Sequence, residues 1–520
     1  MKTNERVAGV LMPISSFPGI YGIGDMGKES REFIDWMKRS GMRNWSILPI
    51  NPTSYGNSPY QSVSAFAGNP YFISPDMLME EGLLEEADIC KEDYKTGSRI
   101  DYGKVFRTRP VLLKKAYGHF LERGTDKHSP FQTFCGDNAW WLDDYAAFMA
   151  CKEHNGFIPW WEWEPSLAFR RGAAYSRFID AHAKDIERWK FIQYEFFRQW
   201  KALREYTNKN GIEIIGDMPF YVAPDSADVW CRKELFEVDP KSGRTMIWAG
   251  VPEDDHTDEV RNWGNPVYNW NAHAAADYDW FRNRIRMAAE LFDSIRIDHV
   301  IALRQYFGIL DGEQQGRWYD GPDMGSHPLS DALDEEAKNA QVTIIAEDLG
   351  KVTPGLREMM QEKGWLGMRV LQYAFTEKYG ADSNHLPFYH RPDMAVYTGT
   401  HDNLTLKEYL DSKSDKELTY FKWWSGCRSV SREELAQAMI REAYKSPAGM
   451  VILPIQDILG LGEESRMVYL NDCDRSWLWR LDDMEMLKAQ TAEEMKALAV
   501  LTGRFPCTGQ DFPAYLNRLM

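Results

Sequence analysis

Residues 292–300 read FDSIRIDHV. The alternating apolar residues mark a strand, yet the stretch carries Asp293, Arg296, Asp298 and His299. Successive strand side chains point to opposite faces. Ile295, Ile297 and His299 are therefore expected on one face, and Ser294, Arg296 and Asp298 on the other. Burying an unpaired charge is costly. A guanidinium and a carboxylate two positions apart are then either a structural ion pair or part of a site.

Seven further apolar runs have the same character: 7–13, 44–50, 212–220, 343–349, 368–375, 394–402 and 450–459. Between them lie helix-like stretches such as 27–41, 283–292, 330–340 and 353–364. Alternating strand and helix signals predict an α/β fold with a parallel sheet, and near-continuous apolar strands predict that both faces are covered. Eight such units predict a (β/α)₈ TIM barrel, which takes ~250 residues. The chain has 520 residues, about twice that typical length. The surplus falls mainly at 51–211 and 221–290, each beginning where a strand run ends. One catalytic barrel domain spanning 1–520, with large helical insertions on its catalytic face, is therefore expected. A doubly wound open sheet is the competing arrangement, and the missing Gly-rich loop after the first run counts against it.

Composition narrows the function classes. The net charge of −17 disfavours nucleic acid and anionic membrane surfaces as partners, since both recruit clustered Lys and Arg. No apolar run reaches the 18 residues of a membrane span, and the short apolar patch before Pro13 reads as a first strand rather than a signal segment. The seven cysteines are scattered without zinc-site spacing, which fits reduced thiols and a cytoplasmic protein. The 20 Trp and 25 Tyr mostly serve packing, but such rings also make platforms for sugars.

The ends of the runs carry the chemistry. One ends in Asp217, one in Asp298 and His299, one in Glu347 and Asp348, and one in His401 and Asp402. Catalytic groups of barrel enzymes come from the C-terminal ends of several strands. A single terminal Asp is usually a cap or turn residue; carboxylates from four strands converging on one mouth are costly without a purpose. Two chemistries remain, a divalent-metal site and glycoside cleavage by paired carboxylates. Arg296 beside Asp298 supplies its own positive charge and disfavours a metal, and the aromatic content favours sugar.

The motifs GDMPFYV (216–222), RIDH (296–299), AEDLG (346–350) and THDN (400–403) resemble, in order, the catalytic-region motifs of the 4-alpha-glucanotransferases (amylomaltases), barrel relatives of the alpha-amylases. PGIYGIGDMG (18–27), LPINPTSYGNSPYQSVSAFAGNP (48–70), WGNPVYNW (263–270) and QDILGLGEESRM (456–467) are similar to further segments of that family. The resemblance implies retaining transfer of glucosyl or maltooligosyl units between alpha-1,4-glucans, with glucose or a glucan as acceptor and no cofactor. It implies Asp298 as nucleophile, Glu347 as general acid and base, and Asp402 as the carboxylate that orients the sugar. It further implies that Arg296 keeps Asp298 ionised, that His401 and Asp217 hold sugar hydroxyls, and that Tyr60 stacks on the same ring. Strand alternation instead places His299 opposite Asp298 and Asp348 opposite Glu347, as supporting residues.

The chain departs from the family pattern in places. The loop 251–262, VPEDDHTDEVRN, is acidic where the family has aromatic residues; THDNLT carries Leu404 in place of an acidic residue; Val468 stands where Asn is usual; and RIDHVIAL departs from RIDHFRG. These changes touch specificity rather than chemistry. The alternatives are an alpha-glucan hydrolase, a non-catalytic glucan-binding protein and a metal-dependent hydrolase.

Overall fold

Every one of the eight apolar runs forms a strand in the computed structural model, which describes residues 6–519 apart from 55, 91–93, 95–96, 125–128, 254–258, 430, 471, 508 and 510–511. Twelve strands occur among these residues. They are β1 (Val7–Leu11), β2 (Asn44–Ser46), β3 (Glu213–Met218), β4 (Ile247–Val251), β5 (Arg261–Pro266), β6 (Ser294–Ile297), β7 (Gln305–Leu310), β8 (Gly316–Asp320), β9 (Thr343–Ala346), β10 (Leu366–Val370), β11 (Met394–Tyr397) and β12 (Met450–Pro454). Eight of them close into a parallel barrel in the order β1-β12-β11-β10-β9-β6-β3-β2, with β2 pairing back to β1. The fold is the expected (β/α)₈ barrel. Its strands are buried almost throughout, because helices cover the outside and side chains fill the inside.

Each strand is shorter than the apolar run that announced it. The run 294–300 is a strand only to Ile297, the run 343–349 only to Ala346, and the run 394–402 only to Tyr397. The charged residues at the ends of those runs lie past the last strand position, in the segments that follow the strands. The strand FDSIRIDHV also needs a partner without a side chain. The Phe292 ring lies where a Cβ on Gly216 would sit, with a ring carbon 2.0 Å away. Glycine at 216 thus lets Phe292 close the barrel wall next to Asp217.

Between β2 and β3 the chain is helical, as expected, with long helices at Tyr102–Glu122, Ala139–His154 and Ala183–Lys209. Most of their tryptophans are packing residues; Trp200 is fully buried and donates its Nε1–H to the carbonyl of Leu291 at 3.1 Å. The stretch 221–290 differs from the all-helical expectation. It contains β4 and β5, which join β7 and β8 in a second, antiparallel sheet of order β5-β4-β7-β8. Two of these strands, RNWGNP and GRWYD, are only partly buried and keep a polar face, whereas IWAGV and QYFGIL are apolar but short. Among the described residues, no helix is long and apolar enough to cross a membrane.

Candidate active site

Register builds the site. Asp217 on β3 and Arg296 on β6 are direct cross-strand partners. One step further toward the mouth, the Asp298 N–H bonds the Met218 carbonyl at 3.1 Å, and the Glu347 N–H bonds the Ile297 carbonyl at 3.0 Å. The ladder thus carries Asp298 and Glu347 past the strand ends side by side.

Arg296 is the hub. Its Nη1 bonds both oxygens of Asp217, at 2.7 and 2.6 Å. Its Nη2 lies 3.0 Å from Asp298 Oδ1 and 3.8 Å from Glu347 Oε2. Burial disfavours the guanidinium charge, but Asp217, Tyr60, Asp298 and Glu347 outweigh it and keep Arg296 firmly charged. Asp217 is also taken from a second side, since the Tyr60 hydroxyl donates to its Oδ2 at 2.7 Å. With its side chain only 2% exposed, Asp217 is committed to Arg296 and Tyr60 rather than displayed to a ligand. Tyr60 itself lies parallel to His401, with ring centroids 5.3 Å apart at 15°.

The three outer carboxyl groups are not equivalent. Burial, with the charge of Asp298 next, pushes Glu347 up to about 8, so it keeps its proton at neutral pH. Asp298 is also raised: burial and the nearby Asp402 outweigh the downward pull of Arg296. Arg296 acts on Asp298 in the expected sense, favouring its charged form. Asp402 is the most open of the three, with its side chain 56% exposed. His401 Nε2 lies 3.2 Å from Asp402 Oδ2. Burial and then Arg296 depress His401 to about 3, so the imidazole is neutral.

The turn that carries His401 and Asp402 is held from beneath. Asp457 accepts from the Thr398 hydroxyl at 2.6 Å and from the Leu406 N–H at 2.7 Å. Asn403 accepts from the Thr400 N–H at 2.8 Å and donates to the Tyr373 hydroxyl at 2.7 Å. Gln372 donates to the carbonyl of Leu404 at 2.8 Å.

His299 departs from the alternation argument. β6 has ended at Ile297, and His299 adopts a left-handed φ of 47°. Its backbone N–H is turned toward the site and donates to Glu347 Oε2 at 2.6 Å. Its ring meets Trp263 edge-on at 4.7 Å. Asp348 behaves as the alternation expected: fully buried, it takes Arg369 Nη1 at 2.9 Å, Arg357 Nε at 2.9 Å and the Met368 N–H at 2.8 Å. The expectation for the loop 251–262 falls partly on 254–258, outside the described residues.

Several residues at the site carry no signal in a single sequence. Trp477, buried at a left-handed φ of 67°, packs 5.8 Å from Tyr60 and 5.9 Å from His401. Arg284, buried on the helix before β6, binds the carbonyl of Phe220 at 3.0 Å and that of Pro219, and its charge reaches Asp298. Trp263 belongs to a quoted motif, but only folding sets it against His299. Among the described residues, no group of three or more His, Cys, Asp and Glu side chains is arranged to hold a metal ion; the centre of the carboxylates is filled by Arg296.

Enzymes that break or move glycosidic bonds work with paired carboxyl groups in opposite protonation states, and this barrel presents carboxyl groups at its strand ends, where barrel enzymes place their catalytic residues. Comparison with known proteins narrows it. The sequence pattern of the 4-alpha-glucanotransferase family matches residues 12–486. The chain is 37% identical over 504 residues to a 4-alpha-glucanotransferase of Clostridium butyricum, covering 95% of this chain and 100% of that one. It is 37% identical to one of Thermus thermophilus, covering 96% and 99%. Its fold matches that of an amylomaltase from Streptococcus agalactiae in complex with acarbose, with a TM-score of 0.89 and 33% identity, covering 96% and 100%. The chain belongs to the 4-alpha-glucanotransferase family and is a glycosyl-transferring enzyme.

Proposed function

We propose that the protein disproportionates alpha-1,4-glucans by a retaining, two-step transfer through a covalent glycosyl–Asp298 intermediate. The observation that carries this reading is the sharing of one nitrogen, Arg296 Nη2, by Asp298 at 3.0 Å and Glu347 at 3.8 Å. The sum of those distances limits the separation of the two oxygens. That limit admits the ~5–5.5 Å of a retaining pair and excludes most of the ~6.5–9.5 Å range of an inverting one.

In the first step the Asp298 carboxylate attacks the anomeric carbon. The glycosidic bond breaks, and Glu347, protonated up to about pH 8, gives its proton to the departing 4-oxygen. In the second step the 4-hydroxyl of an acceptor, glucose or another glucan, attacks the same carbon. Glu347 takes its proton back, and Asp298 leaves as carboxylate. Asp402 and neutral His401 face the sugar and bind its hydroxyls. Arg296 fixes Asp298, and Asp217 with Tyr60 fixes Arg296. The insertions between β2 and β3 and between β3 and β6 build the cleft walls, since Tyr60 comes from the first and Trp263 from the second.

Maltotriose supplied alone tests this reading. It should give glucose together with maltooligosaccharides longer than itself, and glucose and maltose without longer products would leave a hydrolase.

A further inference from the structure

We propose that the backbone N–H of His299, in the turn that follows β6, decides which oxygen of Glu347 carries the catalytic proton. This rests on the reading of Glu347 as general acid. The N–H donates to Oε2 at 2.6 Å. The nearest guanidinium nitrogen, Arg296 Nη2, approaches the same oxygen, at 3.8 Å. Oε2 accepts the N–H and also lies nearer the guanidinium charge, and an oxygen that already accepts a hydrogen bond beside a cation is the poorer place for a proton. The acid proton therefore sits on Oε1, the oxygen that must meet the glycosidic bond. Without the N–H, the two oxygens compete for the proton, and half of the acid's orientations are unproductive.

The 298–299 peptide plane aims the N–H: the Asp298 N–H bonds β3 at Met218, so the next N–H faces the β9 side and Glu347. The φ of 47° then turns the chain after His299 out of the ladder, and a residue that resists it would shift the whole turn. Left-handed φ is unfavourable for a residue with a side chain, least so for Asn, Asp and His among non-glycines. Two contacts hold it. The His299 carbonyl accepts from the Ala302 N–H at 3.1 Å, and the ring stands edge-on against Trp263, whose own carbonyl accepts from Gln61 at 2.6 Å. The groups that bear on Glu347 are Asp298 and Arg296 from β6 and its end, and Asp402 from the turn after β11. The His299 imidazole, depressed by burial to about 4, adds no charge at neutral pH.

The test is spectroscopic and uses the full, deuterated protein labelled with ¹⁵N at histidine. The His299 amide, identified by its loss in His299→Asn, should move with pH, with the same midpoint as the alkaline limb of kcat/KM, and should stop moving in Glu347→Gln. An amide that ignores pH while the alkaline limb is present overturns the proposal. Kinetics give a second arm. His299→Asn and His299→Gly, which accept left-handed φ, should keep the alkaline limb in place. His299→Val, which resists it, should move the limb to higher pH, because losing an N–H that favours the carboxylate raises its pKa, and should lower kcat more than it changes KM. If Asn and Val shift the limb equally, the ring and not the backbone is responsible, and the proposal fails. Full turnover by Glu347→Gln would instead remove the acid assignment on which the proposal stands.

Discussion

Arg296 and Asp217 meet across adjacent barrel strands, in register, with one guanidinium nitrogen bonded to both carboxylate oxygens at 2.7 and 2.6 Å. The pair is almost wholly buried. Removing one partner of such a pair leaves the other charge stranded and typically costs about 3–5 kcal/mol. Asp217→Ala should destabilise the protein by that order in denaturant unfolding. Asp217→Asn, which keeps the shape, should fold better yet lose more than about tenfold in kcat, since Arg296 is then free to turn from Asp298 (about 1.4 kcal/mol per tenfold). Normal kcat in Asp217→Asn would show that Arg296 needs no anchor.

Glu347→Gln should lower kcat for maltotriose disproportionation by roughly 10²–10⁴-fold, the usual contribution of a positioned general acid. Asp298→Asn should abolish turnover while an amylose affinity gel still retards the protein. Loss of both binding and turnover would indicate that Asp298 shapes the cleft rather than reacting in it.

The alkaline limb of kcat/KM should have its midpoint near pH 8, where Glu347 loses its proton. The same shift has a stability consequence. The folded pKa lies above that of an unfolded glutamate, so the folded protein binds the extra proton. Stability from this group is fully present below the unfolded value near 4.5 and is lost as pH rises through about 8. Glu347→Gln, which cannot ionise, should therefore be more stable than wild type at pH 9, on the order of 1–3 kcal/mol, with the advantage shrinking toward pH 5. Thermal melts of the two proteins across that range would show it.

His401 should add no ionisation near its ordinary value of 6.5, because burial and Arg296 hold it at about 3. His401→Asn should raise KM or lower kcat for maltooligosaccharides by about tenfold, the worth of one or two lost hydrogen bonds to the sugar, and leave both limbs of the pH profile where they are. A limb near pH 6–7 that vanishes in this variant would mean the imidazole is charged in the free enzyme.

Asp348, one residue from Glu347, should behave as structure. Asp348→Ala strands Arg369 in the wall of the barrel and should cost about 3–5 kcal/mol, whereas the fraction that folds should keep a near-normal KM. A loss of kcat without a loss of stability would place Asp348 in the chemistry.

The barrel is legible because parallel strands buried on both faces leave continuous apolar runs, and all eight were visible. The second sheet was not: RNWGNP and GRWYD keep a solvated face, so neither run length nor a clear period marks them. The charged residues at the run ends were visible as well, since an Asp or Glu after an apolar run stands out against its surroundings. Beyond the strand a turn follows no period of two, so alternation could not foresee that the His299 backbone N–H reaches Glu347 while its ring packs on Trp263. Alternation held at Asp348, whose partners Arg369 and Arg357 come from the next strand and the next helix.

The sequence by itself determined which chemical groups this protein has and which strand each one ends. Covalent order and hydrophobic period suffice for that. The tertiary structure alone decided their states and partners. Glu347 holds a proton because folding buries it beside Asp298, and Arg296 stays charged because closure of the barrel packs carboxylates around it. Asp217 faces inward to Arg296 and Tyr60, and Trp477, from the far end of the chain, backs His401. Burial and charge–charge energy depend on distances between residues remote in sequence, and only the closed barrel sets those distances.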